Sequence, residues 1–584
     1  MIHLSSPIAL RSIIIPGLIA ILIGGLAACS GTDPATSSRT EQPIEDRQAA
    51  HMMVAAAHPA AVEAGLQMLR RGGHAVDAAI AVQMVLAFIE APETGIGGGG
   101  YLLLHDKDAG ETRLYDGRET APAAARPDRF QILGMDMPLA LAIPSGSSVG
   151  VPGLVAMLAK AHRDHGRLPW KELFIPAIRL AEQGLPMPQR LQRQIQQDLS
   201  LRLFADTRRY FRRQAQSDPP MLRNAELART LRLIAQAGPD AFYQGPIAQG
   251  LLERLDDARW GANDMTAKDL TDYRAINREA VCRPYRQWTV CGAPPSSSGG
   301  ITVLQILGIL ESFPLGAMEP NGSAALHLIV ESSRLAFADR NYYIGDPAFV
   351  VVPVDRLLDA DYLRQRASLI RADRALEEVH PGDPGHRAEI SEKNVLPEVG
   401  ERGTSHFSVV DAQGNLLALT SSNEAPFGSR MLSQGFVLNN QLTDFHFSPM
   451  LDGKPHPNAV AGGKRPRSSM APTMVFDAQG KPKLIIGSRG GSRIIGYVVK
   501  TLIAVLDWNM DVQDAIALPN ALDRGVGIEL ETGTSLELHA PTLEALGHKV
   551  SIVPMTSGLH GIERIETGWR GGADPRLDGV ARGE

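Results

Sequence analysis

Cysteine is scarce in this 584-residue chain, which has three. No His-Glu-x-x-His pattern and no paired Cys-x-x-Cys occurs, so the common zinc-site spacings are excluded. An excess of positive charge is also missing. Lys and Arg number 58 against 64 Asp and Glu, a net charge of -6 with both signs spread along the chain. That balance excludes the basic stripe of a nucleic-acid binder. No repeat is visible that would build a solenoid or propeller. What is present is ordinary globular composition, 44% hydrophobic and 21% charged, which excludes disorder for the body of the chain.

The N-terminus differs from the rest. Arg11 precedes an apolar run from Ser12 to Ala28, which ends in Leu26-Ala27-Ala28-Cys29 and then Ser30-Gly31-Thr32-Asp33. A run this short, closing on small residues, reads as an export signal over residues 1–28 rather than a membrane span. The Leu-Ala-Ala-Cys ending resembles the lipobox of bacterial lipoproteins. That resemblance implies lipidation of Cys29, a membrane anchor of several acyl chains and, with Ser30 rather than Asp next, the outer membrane facing the periplasm. Residues 29–50, rich in Ser, Thr, Pro and acids, read as a flexible tether. Outside the cytoplasm Cys282 and Cys291 could close one disulfide across a hairpin. Two buried thiols fit the spacing equally, because spacing does not fix geometry.

Order is expected from about His51. Pro59 opens a helix with Val62, Leu66 and Leu69 on one face, stopped by Gly72-Gly73. The next helix, about Ala75 to Glu90, is apolar nearly all round and should be buried on most sides. The glycines 97–100 and a strand at Tyr101–Leu104 follow. Residues 150–400 alternate helical stretches (Leu154–His162, Trp170–Gln183, Ala225–Ala237) with irregular ones, and a Pro- and Gly-rich polar loop from about His380 runs to Gly403. Beyond it the pattern changes. Thr404–Asp411 and Leu416–Ser422 read as strands joined by the turn Ala412–Asn415. Met474–Phe476 and Leu484–Ile486 form a second hairpin around Asp477–Lys481. That hairpin leads through Gly487-Ser-Arg-Gly-Gly-Ser492 into a helix over about Arg493–Leu506. Hairpins flanked by buried helices predict layered sheets with helices outside.

Thr404 carries a chemical possibility. A Thr hydroxyl is a poor nucleophile until a base takes its proton. Cleavage before Thr404 would place a new α-amine on the same residue, and its reference pKa of about 7.7–8 leaves much of it neutral and basic near pH 7. Gly403, lacking a Cβ, can adopt the backbone geometry that attack on its own carbonyl requires.

The surrounding words give that possibility a context. Thr404-Ser-His-Phe-Ser-Val-Val-Asp411, Leu438-Asn-Asn-Gln-Leu-Thr-Asp-Phe445, Lys464-Arg-Pro-Arg-Ser-Ser-Met-Ala-Pro-Thr473 and Gly487-Ser-Arg-Gly-Gly-Ser-Arg-Ile494 resemble the γ-glutamyltransferase family of N-terminal-nucleophile hydrolases. So do Ile96-Gly-Gly-Gly-Gly100, Asp116-Gly-Arg-Glu119, Val151-Pro-Gly153, Pro294–Gly300, Ala338–Pro347 and Ala573-Asp-Pro-Arg576, in the family's order.

The resemblance implies an α/β (α+β) fold, a four-layer αββα sandwich. It implies self-cleavage between Gly403 and Thr404 into a large fragment, 51–403, and a small catalytic one, 404–584, that stay together. Thr404 would be the nucleophile and Ser422 the hydroxyl that steadies it. Gly490 and Gly491 would offer backbone N–H groups to the oxyanion. Arg118, with Ser468 and Ser469, would hold the α-carboxylate of a γ-glutamyl substrate such as glutathione, while Gln441 and Asp444 receive its α-ammonium. The acyl group then passes to water or to an amino-acid or peptide amine. This chemistry requires no metal or organic cofactor, and the partners are small molecules, the membrane and the two fragments themselves, with no nucleic acid.

Three departures bear on specificity. Glu424 stands where many members carry Asn, adding an acid near the ammonium site. Arg489 replaces the usual Pro and brings a positive charge towards the oxyanion turn. The stretch between Asp444 and Ser468 is shorter than in members with a full lid and holds no Tyr or Trp. The nearest chemical alternative is an acylase of the same fold, cutting cephalosporin or other glutaryl-like amides.

Two rival motifs remain. Gly95-Ile-Gly97-Gly-Gly-Gly100 satisfies the dinucleotide pattern, with a helix before it and a strand after it, the reverse of what that fingerprint needs. Gly146-Ser-Ser148-Val-Gly150 matches a nucleophile elbow, although a poor strand precedes it.

Overall fold

The computed structural model describes residues 47–261, 263–385, 403–451 and 453–584. The export signal, Cys29, most of the tether and the loop of residues 386–402 lie outside the described residues.

Two seven-stranded antiparallel sheets lie at the centre. The first runs in the order Val580–Gly583, Met53–Ala56, Gly403–Val410, Leu416–Glu424, Gly99–Asp106, Glu111–Gly117 and Ile276–Glu279. The second runs Gln48–Ala49, Gly568–Ala573, His560–Ile565, Pro482–Gly487, Thr473–Phe476, Trp288–Gly292 and Val281–Tyr285. Successive strand residues point to opposite faces, and here both faces are covered. Leu416 and Ala418 meet Met474, Ile485 and Ile562 between the sheets. Leu417 and Leu419 pack outward under the helices Pro59–Arg70 and Ala75–Ile89. On the far side Leu484, Ile486 and Val475 pack under Gly299–Leu310, Ser323–Tyr343 and Arg493–Leu506. The result is helix, sheet, sheet, helix, the four layers that the resemblance implied.

Burial on both faces explains the lack of polar alternation in Leu416–Leu419. It also explains Ala75–Ile89, in which all fifteen residues are buried. That helix is started by His74, whose ring accepts from Val76 N, with Asp77 accepting in return from His74 N. The helices Ala225–Ala237 and Arg493–Leu506 match the pattern read from sequence.

Two boundaries differ. Trp170–Gln183 divides into a 3-10 turn, Trp170–Phe174, and an α-helix, Ile175–Gln183. Pro176 has no N–H to continue an α-helical ladder, so it sits in the first turn of a new helix. The tether ends earlier than residue 50, because Gln48 and Ala49 pair with Arg570 and Trp569.

Cys282 and Cys291 are directly opposed in the hairpin Val281–Tyr285/Trp288–Gly292 and are joined as a disulfide. Of the two readings left open by spacing, the bridge is the one found.

Candidate active site

Thr404 lies at a bulge. Gly403 pairs with Glu424 and Ser405 with Ser421, so Ser422 and Asn423 both oppose Thr404. Such an irregularity bends the strand and re-aims a side chain. Here it brings two hydroxyls onto one carbonyl. Thr404 Oγ1 donates to Gly403 O at 2.5 Å and lies 3.3 Å from Ser422 Oγ, which also donates to Gly403 O at 2.5 Å. The Glu424 N–H donates to Ser422 Oγ at 2.8 Å, fixing that hydroxyl. Glu424 holds a left-handed φ of 81°, uncommon for a residue with a side chain. Its carboxylate receives the Asn440 amide.

A cleft opens in front of Thr404, lined by Ser422, Glu424, Gln441, Asp444, Arg118, Ser468, Ser469 and Gly491. Every substrate-binding residue expected from sequence is among them. The chain brings them from far apart. Arg118 follows the strand Glu111–Gly117, while Gln441 and Asp444 share the 3-10 turn Gln441–Asp444. Ser468 is held by Ser298 N and Ser298 Oγ, both of which donate to its carbonyl.

Arg118 is fully buried. Its Nη2 donates to Asp444 Oδ2 at 2.6 Å and to Arg467 O, and its Nε donates to Pro466 O. Burial opposes its charge, but Asp444, Tyr101 and Glu119 together raise its pKa above the ordinary value. Gln441 Nε2 donates to the same Asp444 oxygen at 2.8 Å. Asp444 therefore joins the guanidinium that would hold a carboxylate to the amide expected beside an ammonium.

Gly490 and Gly491 both have positive φ, 123° and 61°, in the turn that enters Arg493–Leu506. A Cβ on Gly490 would lie 2.8 Å from the Tyr497 ring. Gly491 lines the cleft; Gly490 does not. In the unbroken chain the cavity measures about 30 Å³, room for a water or two, and Gly403 forms part of its wall.

Arg489 departs from expectation. Its guanidinium is buried and turns to Glu93, with Nη2 3.1 Å from Oε2. The positive charge is paired there, and Arg489 does not line the cleft. Glu93 itself went unrecognised. It accepts from Arg190 Nη2 at 2.5 Å and from Gln194 Nε2 at 2.7 Å, and its Oε2 lies 2.8 Å from where a Cβ on Gly403 would be. Arg340 and Arg467 were also missed as lining residues. Arg340 donates from Nη2 to Ser469 Oγ at 2.6 Å and from Nε to Ser298 Oγ at 2.8 Å. Both arginines sit inside words that carry the resemblance, Ala338–Pro347 and Lys464–Thr473, and that position was the available signal.

The rival motifs dissolve. Ser148 Oγ donates to the carbonyls of Ile143 and Ser145 and lies buried in a 3-10 turn. Gly97 and Gly98 let backbone pass at close range. A Cβ on either would come within 2.1 Å of the Val437 or Ser422 carbonyl.

The family model for γ-glutamyltranspeptidase matches residues 61–584. The chain belongs to the γ-glutamyltranspeptidase family. It is 35% identical over 547 residues to the glutathione hydrolase proenzyme of Bacillus subtilis (strain 168), covering 91% of each chain. It is 32% identical over 521 residues to the acylase ACY 1 proenzyme of Pseudomonas sp. (strain SE83), covering 87% of this chain and 88% of that one. The crystal structure of cephalosporin acylase from Bacillus halodurans superimposes with a TM-score of 0.80 at 25% identity, over 94% of this chain and 99% of that chain. The Thr404 and Ser422 hydroxyls, the Arg118–Asp444 pair and Gly491 all face one cleft.

Proposed function

We propose that this γ-glutamyltranspeptidase cuts itself between Gly403 and Thr404 and then acts as a γ-glutamyltransferase and glutathione hydrolase. The observation that carries the reading is the meeting of the Thr404 and Ser422 hydroxyls on the Gly403 carbonyl oxygen. Ser422 polarises that carbonyl, and Thr404 is within reach of its carbon. Attack, followed by N-to-O acyl shift and hydrolysis, leaves Gly403 with a carboxylate and Thr404 with a free α-amine.

The same hydroxyl then attacks the γ-amide of a donor such as glutathione, with the α-amine taking its proton. Arg118, Ser468 and Ser469 hold the donor's α-carboxylate, and Asp444, Gln441 and Glu424 face its ammonium. The Gly490-Gly491 turn stabilises the tetrahedral oxyanion. The amine leaves with the proton returned by the α-amine, and water or an acceptor amine releases the γ-glutamyl ester.

Intact mass spectrometry tests the first step. Wild type should give two fragments, the smaller starting at Thr404, and Thr404→Ala a single chain; an active single-chain wild type overturns the reading. An acylase reading is favoured by the structural match to cephalosporin acylase. Rates on γ-glutamyl and glutaryl anilides separate the two, because a glutaryl group lacks the ammonium that Asp444 and Glu424 would meet.

The export signal and Cys29 complete the proposal: a lipid anchor on the outer membrane, with residues 30–47 spacing the fold from the lipid. Labelled palmitate should enter the wild type and not Cys29→Ser.

A further inference from the structure

Ser468 and Ser469 share a bonding pattern. Met470 N donates to Ser468 Oγ at 3.1 Å, and Arg340 Nη2 donates to Ser469 Oγ at 2.6 Å. Each hydroxyl is thus occupied as an acceptor. Neither donates its own proton to a protein atom among the described residues. Both line the cleft in front of Thr404. A hydroxyl that accepts from a fixed N–H still has its O–H to give, and here that proton is left for a group in the cleft.

Arg340 sets Ser469 in this state. It lies in the last turn of the helix Ser323–Tyr343 and is 4% exposed. Its guanidinium is held between three oxygens. Nη2 meets Ser469 Oγ, Nε meets Ser298 Oγ at 2.8 Å, and Nη1 meets Asn341 Oδ1 at 2.8 Å. A guanidinium has donors and no acceptor, so it cannot receive the Ser469 proton. Its planar fork cannot swing away from one oxygen without disturbing its bonds to the others.

Ser298 carries the effect further. Its Oγ accepts from Arg340 and passes its own proton to Ser468 O at 2.6 Å, while Ser298 N donates to the same carbonyl at 2.8 Å. One side chain therefore fixes the Ser469 hydroxyl directly and the Ser468 backbone through Ser298.

We propose that Arg340 is a positioning residue of the donor subsite, holding Ser469, and Ser468 through Ser298, so that both hydroxyls meet the α-carboxylate of a γ-glutamyl donor as proton donors. The inference rests on the γ-glutamyl reading above, which sets that carboxylate against Ser468, Ser469 and Arg118. It adds a source of specificity. Hydroxyls fixed as donors accept an ionised carboxylate, which has acceptors alone, and reject an α-carboxamide, whose NH2 would face another donor.

Steady-state hydrolysis of two anilides by the processed protein tests this: the γ-glutamyl donor and its α-carboxamide analogue, nearly equal in shape. The wild type should prefer the carboxylate about a hundredfold or more in kcat/KM. Arg340→Met should raise KM for the γ-glutamyl donor about ten- to a hundredfold, with kcat and the carboxamide rate each within about threefold, so that the preference falls. Arg340→Lys, which keeps the charge and loses the fork, should fall between. In a Ser469→Ala background the Arg340→Met change should lower the preference less than about fivefold, because the hydroxyl it acts through is gone. Intact mass showing two fragments reports that each variant has matured. Should Arg340→Met not mature, Ser298→Ala, which cuts the link to Ser468, carries the test with a drop in preference of about three- to tenfold. A wild type that takes both donors equally overturns the γ-glutamyl reading and this inference with it. A wild-type preference that survives these changes, or an equal loss with and without the Ser469 hydroxyl, overturns the role of Arg340 and leaves the γ-glutamyl reading standing.

Discussion

Replacing Gly403 by alanine sets a methyl group against a carboxylate that cannot move aside. The added Cβ would lie 2.8 Å from Glu93 Oε2, 3.1 Å from Pro426 N and 3.2 Å from the Ala425 carbonyl carbon. Two of these are backbone atoms, and Glu93 is pinned by Arg190, Gln194 and Arg489. Relief must come from Gly403 itself, whose carbonyl then shifts from the Thr404 and Ser422 hydroxyls. Overpacking of this kind costs about 1–3 kcal/mol. If that strain falls on the cleavage barrier, with a factor of ten for each 1.36 kcal/mol, maturation slows roughly 5- to 150-fold. Freshly purified protein followed by intact mass over hours measures this directly. A Glu93→Ala change in the same chain removes the obstructing carboxylate, so Glu93→Ala/Gly403→Ala should mature faster than Gly403→Ala, relative to Glu93→Ala alone. Wild-type maturation of Gly403→Ala, or no recovery in the double variant, refutes the steric argument.

Arg118→Lys keeps the charge but loses the planar fork and its bonds to Asp444 and two carbonyls; kcat/KM for a γ-glutamyl anilide should fall about 10- to 100-fold, and an unchanged value would remove Arg118 from substrate binding. Glu119 is buried with no hydrogen bond to either oxygen, and burial pushes its pKa up to about 8 from 4.5. The folded form therefore keeps a proton that the unfolded chain has lost. Its contribution to stability is complete below pH 4.5 and disappears as pH rises towards 8. Glu119→Gln should flatten that part of the Tm-against-pH curve, and parallel curves for variant and wild type would contradict it. Opening the Cys282–Cys291 bridge, which spans nine positions, by Cys282→Ser/Cys291→Ser should cost about 2–3 kcal/mol, read as a lowered denaturant midpoint with catalysis retained.

The catalytic hairpin was legible because its cause is local. Ala412–Asn415 is a turn, and the flanks on each side are apolar enough to be strands in any context. The buried helix Ala75–Ile89 was legible for a similar reason, since a stretch without a polar face has nowhere else to go. Glu93, Arg340 and Arg467 are another matter. Each looks like a surface charge in sequence, and only the folded chain places Glu93 beside Gly403 and Arg340 against Ser469. Arg489 shows the same limit. The substitution could be seen, whereas its neutralising partner lies 396 positions away. Gln48 and Ala49 were assigned to the tether because the strand they complete belongs to the other end of the chain.

The order of strands in the first sheet has a consequence for the life of the molecule. Gly403–Val410 and Leu416–Glu424 are flanked by Met53–Ala56 and Gly99–Asp106, and Met53–Ala56 is itself bordered by Val580–Gly583. Residues from before and after the proposed cut thus interleave like the fingers of two hands, and neither piece owns a continuous half of the sheet. Assembly is therefore expected of the intact precursor alone. If the link before Thr404 is severed as proposed, unfolding should become a one-way event: after dilution of denaturant the uncut Thr404→Ala chain should recover its fold, and the two-fragment protein should not.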